Sequence, residues 1–186
     1  MAASPDIRPY TLSPYNAGLI IQGDQPVYQS GAQPRRKVVI WGFGGRSARL
    51  VPFDDPSVEL WSINNGWNAS RDLADRLRAD IWWDLHTPAP PVQNENDMRW
   101  LCTCPVPLYS TAKLLDNPNV MRWPVEYYAE KYGRSYFTCS FAMQIATAIE
   151  RRFEEIHIFG LNLGCGTQRE ATVESAGVAY WLGRAE

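Results

Sequence analysis

The run Lys37-Val38-Val39-Ile40-Trp41-Gly42-Phe43-Gly44-Gly45-Arg46-Ser47 decides the reading of the fold. Val38 to Trp41 are apolar without a break, follow the basic residues Arg35, Arg36 and Lys37, and lead straight into a glycine-rich turn. A short unbroken apolar run bounded by turn residues is the pattern of a strand buried on both faces, and so of a parallel sheet under helices. Glycines directly after such a strand let the backbone turn sharply and approach another group closely. A helix starting near Arg46 and Ser47 would aim its unpaired amides and positive dipole end into the same space, which suits a phosphate.

Working outward, Val58 to Ile63 reads as a second strand ending in Asn64-Asn65-Gly66-Trp67, and Asp80 to His86 as a third. Between them Ser70 to Leu77 suggests a short helix with Leu73 and Leu77 on one stripe. Thr87 to Asp97 is a proline-broken loop, Met98 to Leu101 a helical turn, Val106 to Tyr109 a brief strand, and 119–124 another extended piece. Glu126 to Tyr132 is a helix stopped by Gly133. Ser140 to Ile149 is apolar nearly all round, which predicts a buried helix on the sheet, with Arg151 and Arg152 suiting the negative end of its dipole. Glu155 to Leu163 is a further strand whose regular part stops at Gly160, with His157 read as structural within a core strand. Thr167-Gln168-Arg169-Glu170 is a capping box before a last helix from Ala171 to Arg184. Strands alternating with helices and loops of this length predict an α/β fold: a single Rossmann-like three-layer domain with a mainly parallel sheet over 37–186. Residues 1–36 read as a proline-rich N-terminal arm with a small hairpin around Gly23-Asp24, lying on the domain or on a neighbouring subunit, or equally as a partly disordered segment. The last helix feeds no further strand, so the chain is read as C-terminally truncated or as closed by that helix.

Composition excludes several classes. The 186 residues are 45% hydrophobic and 20% charged with a formal net charge of −2, the balance of a globular protein with no broad electrostatic affinity for nucleic acid or anionic membrane. Nucleic acid enters only as an acceptor substrate. No apolar run approaches the roughly 20 residues a membrane helix needs, and a cytoplasmic location is expected. Four cysteines in such a chain are no disulfide framework, and Cys102-Thr103-Cys104 is too tight for a zinc pair. With two histidines in the chain, no metal and no cofactor are expected. The eight tryptophans, among them Trp41, Trp61, Trp82 and Trp83, read as core packing, with base stacking by one of them as the alternative.

Ligands of parallel sheets bind beyond the carboxyl ends of the strands. Those ends are Gly42 to Ser47, Asn64-Asn65, His86, Tyr109-Ser110 and Asn162 to Gly166. Gly42, Gly44, Gly45, Arg46 and Ser47 read equally as a phosphate-approaching turn or as a tight strand-to-helix turn. Ser47 replaces the third glycine of a dinucleotide fingerprint and asparagine replaces its ribose-binding acid, which counts against NAD; no Walker-type phosphate loop is present. Asn64 and Asn65 can read a base edge or a ribose hydroxyl, or merely make a turn. Thr138 and Ser140 put hydroxyls at the start of the buried helix, where either would also cap it. His86 ends a strand with Asp84 two residues back on the same face, a histidine–carboxylate pair able to act as a general base.

Taken together, the glycine turn after the first strand, the asparagines after the second, the segment FTCSFAMQIATAI from Phe137 and the strand EEIHIFGLNL from Glu154 resemble the sialyltransferase-like glycosyltransferases. They also resemble small uncharacterised phage proteins with a YWLG helix near the end. The likeness runs over 37–186 in order and spacing. It implies a CMP-sugar type of donor, with Gly42 and Gly44 at its phosphate, Asn64 or Asn65 on the nucleotide, Thr138 and Ser140 in the same pocket, and Asn162 where the family carries an acid. The expected function is a metal-independent, phage-related, glycosyltransferase-like protein whose partner is a nucleotide or nucleotide sugar. The catalytic base is His86 with Asp84. The alternatives are a non-catalytic nucleotide-binding module and a structural protein forming a homo-oligomer through its N-terminal arm.

Overall fold

The computed structural model describes residues 19–22, 25–28, 34–67, 78–86, 94–111, 117–133, 136–163 and 166–186. Its elements are β1 (Leu19–Gln22), β2 (Gln25–Tyr28), β3 (Lys37–Trp41), β4 (Val58–Ile63), β5 (Ile81–Asp84), α1 (Glu95–Thr103), β6 (Leu108–Ser110), β7 (Val120–Arg122), α2 (Val125–Tyr132), α3 (Ser140–Glu150), β8 (Glu155–Phe159) and α4 (Gln168–Ala185). Strands β3 to β8 form a six-stranded sheet in the order β7-β6-β5-β4-β3-β8. Every pairing within it is parallel. The chain therefore steps outward from β3 to β7, then returns to set β8 beside β3. Right-handed crossovers put the outward connections on one face and the return on the other.

The packing follows from that path. On the return face Trp61, Trp83, Tyr109 and Met121 meet Phe141 and Ile145 of α3 and Val178 and Trp181 of α4. On the outward face Val39, Trp41 and Leu60 meet Val51 and Phe53, while Trp82, Leu108 and Val120 meet Trp100 and Leu101 of α1. This is the three-layer α/β domain the strand pattern predicts. Trp61, Trp82 and Trp83 are 0% exposed and Trp41 2%, so these indoles are core. Each large side chain buried in this way stabilises the fold by about 1.5–3 kcal/mol over leaving it in water.

Several local expectations change. The helix expected at Arg46-Ser47 is a short 3-10 turn, Arg46–Leu50. The helical turn at Met98 to Leu101 is the full helix α1, because Asn94 Oδ1 accepts from the amides of Asn96 (2.9 Å) and Asp97 (3.1 Å) while Asp97 Oδ2 accepts from the Asn94 amide (3.3 Å). That is a capping box written with Asn and Asp. His157 is not in a core strand: β8 is an edge, and the half-exposed imidazole lies 2.9 Å from Glu155 Oε2. Charged groups on an edge strand discourage pairing with another chain. The Thr167–Glu170 capping box forms as read, and β1 pairs antiparallel with β2, Leu19 with Tyr28 and Gln22 with Gln25, while Gly23-Asp24 lie outside the described residues. The helix expected at Ser70 to Leu77, most of the Thr87 to Asp97 loop and residues 1–18 lie outside the described residues. Among the described residues no helix is long and apolar enough to cross a membrane.

Buried charge gathers at the amino ends of the strands. Glu59, 0% exposed, takes both nitrogens of the Arg151 guanidinium (2.6 and 3.1 Å), the Trp61 indole N–H (2.7 Å) and the Tyr28 hydroxyl. Arg151 thus ties the end of α3 to β4 instead of merely facing its own helix dipole. Beside it, Asp80 Oδ2 accepts from Arg78 (2.7 Å), Arg35 (2.8 Å) and the Leu60 amide (2.9 Å). Burial pushes the Asp80 carboxyl up in pKa against the pull of those cations. Removing one partner of a buried pair leaves the other charge unmet, a cost of about 3–5 kcal/mol. Glu59→Ala is therefore expected to lose about that much in urea denaturation. Tyr28→Phe, which removes one donor from the same carboxylate, should lose only about 0.5–1.5 kcal/mol.

Candidate functional site

The glycine turn sits where β3 and β8 part, the point at which the strand order reverses and open sheets commonly hold their ligands. Here the two strand exits grip each other. The Gly42 amide donates to Phe159 O (3.0 Å), the Gly44 amide to Gly160 O (2.8 Å), and the Gly160 amide to Ser47 Oγ (3.0 Å). A Cβ on Gly44 would stand 2.3 Å from the Cβ of Asn162, and one on Gly42 would stand 2.8 Å from Gly160 O. Of the two readings of this turn, close packing of backbone on backbone accounts for Gly42, Gly44 and Ser47. The Gly42 and Gly44 amides are engaged with the exit of β8, and Ser47 Oγ accepts there while its hydroxyl hydrogen is left to donate. Gly45 differs, with φ 63° and nothing within 4 Å of where a Cβ would lie, and Arg46 next to it is exposed.

The second cluster lies over β4, β5 and β6. Asp84 pairs in register with Ser110, and Ile63 with Trp83, so Asn64 leaves β4 at the level of Asp84. Asp84 and Ser110 point to the same face as Trp82 and Leu108, two residues earlier in each strand. Asp84 Oδ1 accepts from the His86 amide (3.1 Å) and lies 3.2 Å from His86 Nδ1. The pairing read from spacing is thus made. The Asp84 side chain is 5% exposed and that of His86 48%, a carboxylate at the floor with an imidazole at the surface. In the neutral tautomer that donates from Nδ1 to Asp84, Nε2 is the nitrogen that carries the free lone pair. The hydrogen bond to Asp84 raises the His86 pKa above the ordinary imidazole value, burial opposing, and Asp97 and Glu174 add to the rise.

Some of the buried side-chain polar atoms that have no hydrogen-bond partner lie on β4, on β6, at the exit of β4 and on α3. Among the described residues they include Ser62 Oγ, Asn64 Oδ1, Ser110 Oγ and Gln144 Oε1. Gln144 reaches from α3 to donate to Ser62 O at 3.4 Å, and Thr111 Oγ1 donates to His86 O at 3.1 Å. Buried polar groups are normally paired, so each of these atoms is a place where a polar group could still be accommodated.

At the start of α3 neither Thr138 nor Ser140 is the cap; Cys139 holds the N-cap position. Burial pushes its thiol up in pKa, the amides of Ala142 and Phe141 opposing. Thr138 turns toward α4, where its Oγ1 would be 1.9 Å from a Cβ on Gly177. Asn162 joins the glycine turn, not the Asp84–His86 cluster. The side chain of Asn65 lies outside the described residues. Ser62, Gln144 and Glu174 are residues that the sequence reading does not single out, and Ser110 enters it only within the strand end Tyr109-Ser110. Gln144 was visible as the one amide inside FAMQIATAI, and Ser110 as the last residue of its strand. Glu174 carries no local signal, since α4 is brought over His86 only by tertiary packing. Among the described residues no His, Cys, Asp or Glu side chains gather in threes as a metal ion would require.

Two measurements check this geometry. Gly44→Ala should destabilise the ligand-free protein by about 1–3 kcal/mol, the range for overfilling a packed site. A glycine needed only for ligand approach would leave that stability unchanged. In an NMR pH titration the His86 ring should titrate above about 6.5. Asp84→Asn should bring that midpoint down, because the group favouring the protonated ring has lost its charge.

Comparison of the chain with protein-family models, with curated proteins and with solved structures finds no match in any of them.

Proposed function

We propose that the chain binds a nucleotide or nucleotide sugar across the carboxyl ends of its parallel strands and transfers the sugar with His86 as general base. The observation that carries this reading is the Asp84–His86 pair at the end of a central strand, with Nδ1 at 3.2 Å from the buried carboxylate, the imidazole half-exposed, and the unpartnered hydroxyl of Ser110 in register with Asp84. An acceptor hydroxyl set against Nε2 gives up its proton to the imidazole. Its oxygen bonds the sugar's anomeric carbon as the bond from that carbon to the donor phosphate oxygen breaks. The nucleotide leaves with the electron pair. Asp84 stabilises the imidazolium so formed and fixes the ring's orientation. Because the Gly42 and Gly44 amides are engaged, the donor phosphate falls to the open turn at Gly45 and to the exposed Arg46.

A thermal-shift panel of nucleoside mono- and diphosphates and nucleotide sugars tests the binding. A compound at 100 times its dissociation constant adds about 2.7 kcal/mol of stability, a rise of several degrees for a domain of this size. Cytidine or uridine compounds are expected to give that rise, and a flat panel overturns the reading. His86→Ala should keep the shift and lose roughly 10²–10⁴-fold in release of nucleotide from the responding donor. Undiminished release in that variant would remove His86 from the chemistry. Binding with no turnover in the parent protein would leave a nucleotide-binding module.

A further inference from the structure

We propose that the subsite beside His86 takes an uncharged or amine-bearing polyhydroxyl compound and turns away one that carries a negative charge; this rests on the reading of that edge as the acceptor side of a transfer site. The argument starts from the groups that surround the imidazole. Asp84 holds it from β5, Asp97 acts on it from the first turn of α1, and Glu174 from α4. All of these charges are acidic. The basic group nearest in register, Arg122 opposite Ser110, is turned into an ion pair with Glu126 on α2. Burial and the neighbouring Glu170 push Glu174 up in pKa, against the pull of His86 on it, so a further negative charge there is resisted.

The unmet polar atoms point to the same chemistry from an independent direction. Asn64 Oδ1 and Gln144 Oε1 are carbonyl oxygens that can only accept, and the Ser110 hydroxyl can do either. Ser110 is 1% exposed, shares register and face with Asp84, and its Oγ has no partner among the described residues. Hydroxyl and ammonium groups supply the donors such a lining lacks. A carboxylate or phosphate brings only acceptors, and sets its charge against Asp97 and Glu174. Like charges across a recognition surface suppress the wrong partner.

The test uses three glycosides of one ring shape and different charge: methyl glucoside, methyl glucosaminide and methyl glucuronide. Binding to the full chain is read from the His86 imidazole signals in NMR titrations near neutral pH. The glucosaminide and glucoside should perturb those signals, and the glucuronide should bind at least about tenfold more weakly. Glu174→Gln, alone and with Asp97→Asn, should shrink the difference stepwise. The single variant keeps the α1 capping box intact and so guards against a folding artefact. Equal or tighter binding of the glucuronide overturns the proposal, as does a preference unchanged in both variants, or no perturbation by any of the three. The nucleotide panel is read separately. Sugar selectivity with no nucleotide response would sink the transferase reading alone, and a nucleotide response without selectivity would sink this proposal alone.

Discussion

The carboxylate of Glu59 is the constraint on which the architecture leans. Buried at the start of β4, it has no water to stabilise its charge, and Arg151, Trp61 and Tyr28 supply that stabilisation. Those partners come from the end of α3, the sheet and the N-terminal hairpin, so one ionised group fixes three elements relative to one another. Arg78 and Arg35 do the same around Asp80, holding the entry of β5 against β4. An isolated buried charge costs several kcal/mol, which makes these contacts all-or-none. At the amino ends of the strands the buried carboxylates of Glu59 and Asp80 are accordingly both paired with guanidinium groups.

The carboxyl ends are the reverse. There the buried polar atoms of Ser62, Asn64, Ser110 and Gln144 lack partners, and a half-exposed histidine stands on a buried aspartate. A parallel sheet has this asymmetry built in, because its connections leave all strand ends of one kind on one side and open backbone turns there. In this protein the reversal point between β3 and β8 is taken up by the grip of Gly42 and Gly44 on Phe159 and Gly160. Unmet polarity is displaced sideways, to β4, β5 and β6. The site we propose therefore lies a few strands from where the glycine-rich turn alone would put it.

Much of the fold was legible because burial writes itself into sequence as short, mostly apolar runs. Lys37 to Trp41, Val58 to Ile63 and the nearly all-apolar α3 could only be strands and a helix inside a layered domain. The Asp84–His86 pair was legible too, since alternate residues of a strand share a face whatever surrounds them. The misread pieces have physical reasons. α1 was taken for a single turn because its cap uses Asn94 and Asp97 in place of the usual Ser or Thr and Glu. His157 looked internal because Ile156 and Ile158 flank it, but an edge strand buries one face only.

What the sequence determined by itself is local: strand and helix placement, the α/β class, and the histidine with its carboxylate. These depend on spacing along the chain and on the periodicities of helix and strand. What only the tertiary structure decided is which of those pieces meet. Gly42 and Gly44 turned out to face the exit of β8 because β8, last in sequence, is inserted beside β3, first in the sheet. Glu174 came to act on His86, and Arg151 to neutralise Glu59, across gaps in the chain that no short-range pattern spans. Charge and hydrogen-bonding complementarity act through space, so the identity of each partner follows from the packing of the layers.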